Sequence, residues 1–116
     1  MKLEVGMYVR TIGGIERLKK ENDNGWFFEK SMIIKPDNIE KYIIKASYNI
    51  IDILEEGDYV NGNKVIEIEK NYKFIDGTIR DILWTDTKMQ KAIWDETIKS
   101  IVTKEQFEQM AYKVGD

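Results

Sequence analysis

Two tryptophans, Trp84 and Trp94, stand in a segment crowded with charge: Arg80, Asp81, Asp86, Lys88, Asp95 and Glu96. Aromatic rings in a polar surround have the composition of a protein-interface hot spot, where a large rigid side chain buries much area at small conformational cost. The plainer alternative is that both rings cover the end of a small β unit. Nothing in the spacing resembles a catalytic set. The chain contains no histidine and no cysteine. That removes Ser-His-Asp, Cys-His and His-metal chemistry, disulfides, and thiolate-ligated zinc or iron–sulfur sites. Only carboxylates, lysines, tyrosines and hydroxyls remain for catalysis, and the chain reads as a non-enzyme that needs no cofactor and no metal.

Other candidates carry less. Glu55-Glu56 and Asp95-Glu96 are adjacent carboxylates, and adjacent side chains diverge on a strand, so a solvated face fits them better than a metal site or an acid–base pair. Gly13-Gly14 lacks the glycine spacing and the following Lys-Ser/Thr of a phosphate loop and reads as a turn. Trp26-Phe27-Phe28 offers rings on which bases could stack. Consecutive strand residues face opposite ways, however, so at least one of the three belongs to a core.

Composition sets the bounds. Apolar residues at 42% and charged residues at 34% describe a folded domain rather than a disordered chain. The net charge of −3, with both signs interspersed, lacks the basic face that a nonspecific nucleic-acid binder needs. No apolar run approaches the roughly 20 residues of a membrane-spanning helix. Met1 to Gly6 has no apolar signal-peptide region either, so the expectation is a protein of the cytoplasm with no membrane partner.

The elements that must position the tryptophans are organised by a repeated phrase. Leu3-Glu4-Val5-Gly6-Met7-Tyr8-Val9 matches Leu54-Glu55-Glu56-Gly57-Asp58-Tyr59-Val60 at a constant offset of 51 positions. Each copy leads through a glycine into a short strand. In the second copy Asn61-Gly62 then reverses the chain, the pair that a type I′ hairpin turn favours because both central residues need positive φ. Ile66 and Ile68 alternate with Glu67 and Glu69 beyond it, the period of a half-buried strand.

Around these copies the chain reads as a meander. Strands are expected at Met7 to Ile12, Ile15 to Lys20, Trp26 to Lys30 and Met32 to Lys35, with punctuation at Pro36-Asp37-Asn38. Ile39 to Ile44 fits either a helical face or a strand, and its β-branching favours the strand. A short turn at Lys45 to Asn49 and a covered strand over Ile50 to Leu54 follow. In the second half, Asn71 to Ile75 reads as a strand, Asp76-Gly77 as a hairpin turn and Thr78 to Trp84 as the return. Asp86 or Thr87 could cap a short helix carrying Met89 and Ile93. Ile98 to Val102 reads as a strand, Thr103-Lys104-Glu105-Gln106 as a capping box with Phe107 and Met110 on one helical face, and Tyr112 to Val114 as a closing strand. The expected fold is mainly β: two related small SH3-like β-barrel or half-barrel units, 1–53 and 54–116, sharing a core through Ile50 to Leu54. A divergent insertion at about 71–97 and a short C-terminal helical turn complete the second unit.

Three blocks resemble a family of small proteins encoded in phages and prophages of Clostridia and other Firmicutes. They are Lys2 to Thr11, Ile44 to Asp52 with Gly57-Asp58-Tyr59-Val60-Asn61-Gly62, and Lys99 to Phe107. The resemblance implies a phage accessory protein acting in the bacterial host cytoplasm. It brings no functional residues with it, and the three blocks are those assigned above to the scaffold. A particular activity is therefore expected in Ile15 to Lys41 or in Asn71 to Thr97. The partner-binding set expected from this is Trp84, Trp94, Arg80, Asp81, Asp86, Asp95 and Glu96. The corresponding function is inhibition of a host defence system, as anti-CRISPR proteins do, by non-catalytic binding to a host protein. The alternatives are an oligomeric sponge for a nucleotide immune signal, with Trp26 or Trp84 stacking and Arg17 or Arg80 meeting phosphate across an interface between copies, and a structural phage module.

Overall fold

Both copies of the repeated phrase fold the same way, because each dictates a glycine turn followed by a strand that must hydrogen-bond on two sides. The computed structural model describes residues 2–23, 25–30, 33–34, 39–87, 91–112 and 114–115. The chain divides into two compact units, Met1–Ile53 and Leu54–Asp116. It is mainly β, with one antiparallel sheet in each unit.

In the first unit, β1 (Tyr8–Thr11) turns at Ile12-Gly13 into β2 (Gly14–Asn22), which pairs with β3 (Gly25–Phe28), and β3 with β4 (Ile33–Ile34). A single helical turn, α1 (Ile39–Tyr42), precedes β5 (Lys45–Ser47), which returns to the free side of β1. The sheet order is β4-β3-β2-β1-β5. Leu3, Val9, Leu18, Trp26, Phe28 and Ile43 form its buried cluster, with Met7 and Ala46 packed against it. Arg10 is fully buried, and its guanidinium donates to the Ile53 carbonyl at 3.0 Å.

In the second unit, β6 (Tyr59–Val60) turns at Asn61-Gly62 into β7 (Asn63–Lys73), an eleven-residue strand that pairs with β8 (Ile79–Thr85). The free side of β6 takes β9 (Ile101–Val102), after which α2 (Lys104–Met110) ends the unit. The order is β8-β7-β6-β9, an open sheet like the first. Asn61 has φ +53° and Gly62 φ +82°, the left-handed pair that the turn requires. The capping box forms as expected. Thr103 Oγ accepts from the Gln106 N–H at 3.2 Å and Gln106 Oε1 accepts from the Thr103 N–H at 2.9 Å. Asp58, fully buried, accepts from the Lys104 N–H at 2.9 Å and the Glu55 N–H at 2.7 Å, tying α2 to the glycine turn.

Several sequence expectations are corrected. Ile50 to Leu54 is not a strand: Ile50–Ile53 is a 3₁₀ turn. Side chains take over the backbone there. Asn49 Oδ1 accepts from the Ile51 N–H, Ser47 Oγ accepts from the Asn49 N–H, and Ser47 Oγ donates to Asp52. Ile39 to Ile44 begins as α1 rather than a strand, and Lys45 to Ser47 is strand rather than turn. Asn71 to Lys73 continues β7 instead of starting a new strand. Lys91 and Ala92 are not helical, and Ile93 forms a β-bridge with Leu83. Only Ile101 and Val102 of Ile98 to Val102 are strand, and Tyr112 and Val114 belong to none. Met32, Lys35, Pro36-Asp37-Asn38, Lys88, Met89 and Lys113 lie outside the described residues.

Candidate functional site

Among the described residues no third strand runs beside the distal part of β7 and β8: β6 pairs only with Asn63 and Lys64, and Ile93 touches β8 at Leu83 alone. A two-stranded ribbon of this kind needs side-chain packing of its own. Register breaks between Val65 and Glu67 and between Glu69 and Tyr72. At the second break Lys70 and Asn71 together oppose Asp81, and Asn71 takes φ +57°. Asp81 fastens both residues: Oδ1 accepts from the Asn71 N–H at 2.9 Å and Oδ2 pairs with Lys70 Nζ at 2.7 Å. Bulges of this kind twist a ribbon and re-aim its side chains.

Beyond the bulge, Tyr72 and Phe74 are two residues apart and their rings meet edge-on at 5.2 Å. Trp84 meets Tyr72 edge-on at 6.1 Å, and Trp94 meets Phe74 edge-on at 5.8 Å. The Leu83–Ile93 bridge brings Trp94 alongside β8, with N–H···O bonds of 2.7 and 3.0 Å. Thr97 fixes the Trp94 backbone, its Oγ1 donating to the Trp94 carbonyl at 2.8 Å and accepting from the Trp94 N–H at 3.1 Å. The result is a continuous run, Trp84–Tyr72–Phe74–Trp94, of four half-buried rings.

Charge lines this run. The Arg80 guanidinium lies 5.5 Å from the Trp94 ring centroid, and one of its nitrogens is 3.7 Å from the Glu96 carboxylate. Glu96 is largely exposed, so that ion pair contributes little to stability. At the other end, Trp84 Nε1 donates to Glu69 Oε1 at 2.8 Å. A groove of about 220 Å³ opens beside it, lined by Ile66, Glu67, Glu69, Trp84 and Thr85.

Of the residues expected from the sequence, Trp84, Trp94, Arg80 and Glu96 come together on this face. Asp81 serves the bulge. Asp86 serves the root of the ribbon, where its Oδ1 accepts from the Lys64 N–H at 3.2 Å and its own N–H donates to the Lys64 carbonyl at 3.0 Å. Asp95 accepts from the Glu96 N–H within the 3₁₀ turn Asp95–Thr97. Sequence reasoning passed over Tyr72, Phe74 and Glu69. The alternation of Tyr72 and Phe74 just before the Asp76-Gly77 turn, with Arg80 just after it, is the signal that points to the face. Trp26 and Phe28 are buried in the first unit's cluster, and Phe27 is half-buried with Lys20 Nζ 5.6 Å from its ring centroid.

Among the described residues no group of three or more acidic, His or Cys side chains is arranged to hold a metal ion, and no helix is long and apolar enough to cross a membrane. The chain matches no protein-family model, no curated protein and no solved structure.

Proposed function

We propose that this chain is a non-catalytic binding protein that docks a protein partner through the aromatic face of the β7–β8 ribbon. One observation carries the reading: four half-buried rings from three segments form one connected run with Arg80 and Glu96 on its margin. Rings held in place by their neighbours give up little conformational freedom on binding, which is what makes tryptophan and tyrosine effective anchors. The resemblance to phage and prophage proteins supplies the setting, the cytoplasm of a bacterial host. In that setting the chain is an accessory protein that inhibits a host defence system, as anti-CRISPR proteins do, and a mixed, mildly acidic chain suits competition for a Lys/Arg-rich nucleic-acid channel. The same reading takes each unit as an SH3-like half-barrel, on the evidence of short antiparallel strands, two-residue hairpin turns and a helical turn after the last strand. A nucleotide sponge fits less well, because it needs a cation free for phosphate beside a stacking ring. Arg80 has Glu96 beside it, and the neighbouring groove is acidic.

The test is a titration against the partner recovered by pull-down from host lysate. The paired change Trp84→Ala with Trp94→Ala is expected to weaken binding at least about 30-fold, roughly 2 kcal/mol. Circular dichroism serves as the folding control. Equal affinity of wild type and a folded variant overturns the docking face.

A further inference from the structure

The groove beside Trp84 has a chemistry of its own. Glu67 and Glu69 are two residues apart on the regular stretch of β7 between the two register breaks, so both carboxylates lie on one face of the strand. Trp84 stands directly across from Glu67 on β8. Glu69 Oε1 accepts the indole N–H at 2.8 Å, which sets the plane of the ring and leaves Oε2 available. Among the described residues the Glu67 carboxylate has no hydrogen bond or ion pair, and the Trp84 indole is the single polar partner of the Glu69 carboxylate. The Lys70–Asp81 salt bridge, close by in sequence, belongs to the bulge. Two carboxylates without a cation therefore share about 220 Å³ with the indole and with Ile66, whose side chain is also exposed.

We infer that this groove receives an arginine side chain of the partner, an inference that rests on the docking function proposed above. Groove and side chain are complementary in charge and shape. A planar guanidinium can fork toward two carboxylates and lie against an indole at once, whereas an ammonium acts as a compact point charge. The aromatic wall adds a cation–π attraction, and the exposed Ile66 offers apolar surface for the methylene stem. A groove of this size holds several water-sized groups, enough for the guanidinium and the end of its stem. Two carboxylates facing an indole make a poor metal site, because a hard divalent cation takes six or more oxygen ligands.

The probe is the peptide acetyl-Gly-Gly-Arg-Gly-Gly-amide, set against the same peptide with the uncharged isostere citrulline. The readout is the ¹H–¹⁵N signal of the Trp84 indole, assigned with Trp84→Phe. The arginine peptide is expected to shift this signal saturably, and the citrulline peptide to bind at least about tenfold more weakly. Glu67→Gln with Glu69→Gln abolishes the shift while keeping an acceptor for the indole. Glu67→Gln alone, at an exposed position, weakens it and guards against loss of fold in the pair. Glu21→Gln with Asp23→Asn, the same change of charge in the first unit, leaves it intact. Equal shifts with both peptides, a shift that survives both glutamines, or no shift at all overturns the arginine groove. If the shift is absent while Trp84→Ala with Trp94→Ala still weakens the recovered partner, the docking face stands and only the arginine groove falls. If neither effect is seen, both fall together.

Discussion

Gly6 and Gly57 occupy one backbone geometry twice. Both have φ +98°, and their N–H groups donate across the hairpin to the Leu18 and Val65 carbonyls at 2.8 and 2.9 Å. The next residue in each copy, Met7 or Asp58, donates back to Glu4 or Glu55 at 3.1 Å. Three residues after each glycine, Val9 and Val60 are fully buried. The repeat is thus structural as well as verbal. A Cβ at Gly6 would meet Tyr48 Cε1 at 3.5 Å and one at Gly57 would meet Lys104 Cδ at 3.7 Å, both ordinary contacts. The cost of Gly6→Ala and Gly57→Ala therefore comes from the left-handed backbone, about 1–2 kcal/mol at each site. Urea denaturation should give losses of similar size, and a neutral result at either position would refute the shared strain.

Asn61 does more than turn the chain. Its Oδ1 accepts from the Lys99 and Ser100 N–H groups at 2.7 and 3.2 Å, and its Nδ2 donates to the Thr97 carbonyl at 3.0 Å. Asn61→Gly keeps the backbone conformation and deletes all three bonds. It should cost about 2–3 kcal/mol at net values near 1 kcal/mol per bond. An unchanged denaturation midpoint in the Asn61→Gly protein would mean that the turn alone matters.

The same residues show where sequence reading succeeds and where it stops. Gly6, Gly57 and Asn61-Gly62 were legible because positive φ restricts residue choice, so local chemistry and local structure coincide. Ile50 to Leu54 was not, because a short apolar run looks alike as a covered strand and as a buried helical turn. What decides it is the side-chain bonding of Ser47, Asn49 and Asp52. At the candidate site, Trp84, Trp94 and Arg80 were visible as residue types. Tyr72 and Phe74 showed in their alternation, but their contact with the tryptophans did not, since it is made only across a bulge and a β-bridge whose register no single stretch encodes.

Tyr48 is expected to titrate above the usual tyrosine range. Its hydroxyl donates to Glu4 Oε2 at 2.8 Å, and that bond, reinforced by desolvation and by the Glu4 charge, favours the protonated phenol. A pKa raised on folding contributes stability that is complete below the unfolded value, near 10, and disappears as pH rises through the folded value. Glu4→Gln should move the Tyr48 titration back toward its usual value. It should also remove this part of the stability loss at alkaline pH. The difference in tyrosinate absorbance between each protein and its Tyr48→Phe counterpart measures the shift, and coincident curves would refute it.

The three tryptophans should separate by environment. Trp26 is 8% exposed within the first unit's cluster, whereas Trp84 and Trp94 are half-buried on the ribbon. A protein retaining Trp26 alone, made by Trp84→Phe and Trp94→Phe, should emit at shorter wavelength and resist acrylamide quenching. The Trp26→Phe protein should do the reverse. Energetics follow the same division. Trp26→Ala deletes a core ring and should cost about 3–5 kcal/mol. Trp26→Phe should cost much less, because the buried indole N–H has no hydrogen-bond partner among the described residues and its removal relieves a desolvated donor worth about 1–3 kcal/mol. Trp84→Ala and Trp94→Ala remove rings that already meet solvent, so each should destabilise the protein less than Trp26→Ala. If the two ribbon substitutions prove as costly as Trp26→Ala, both rings are core and the ribbon does not offer a docking face.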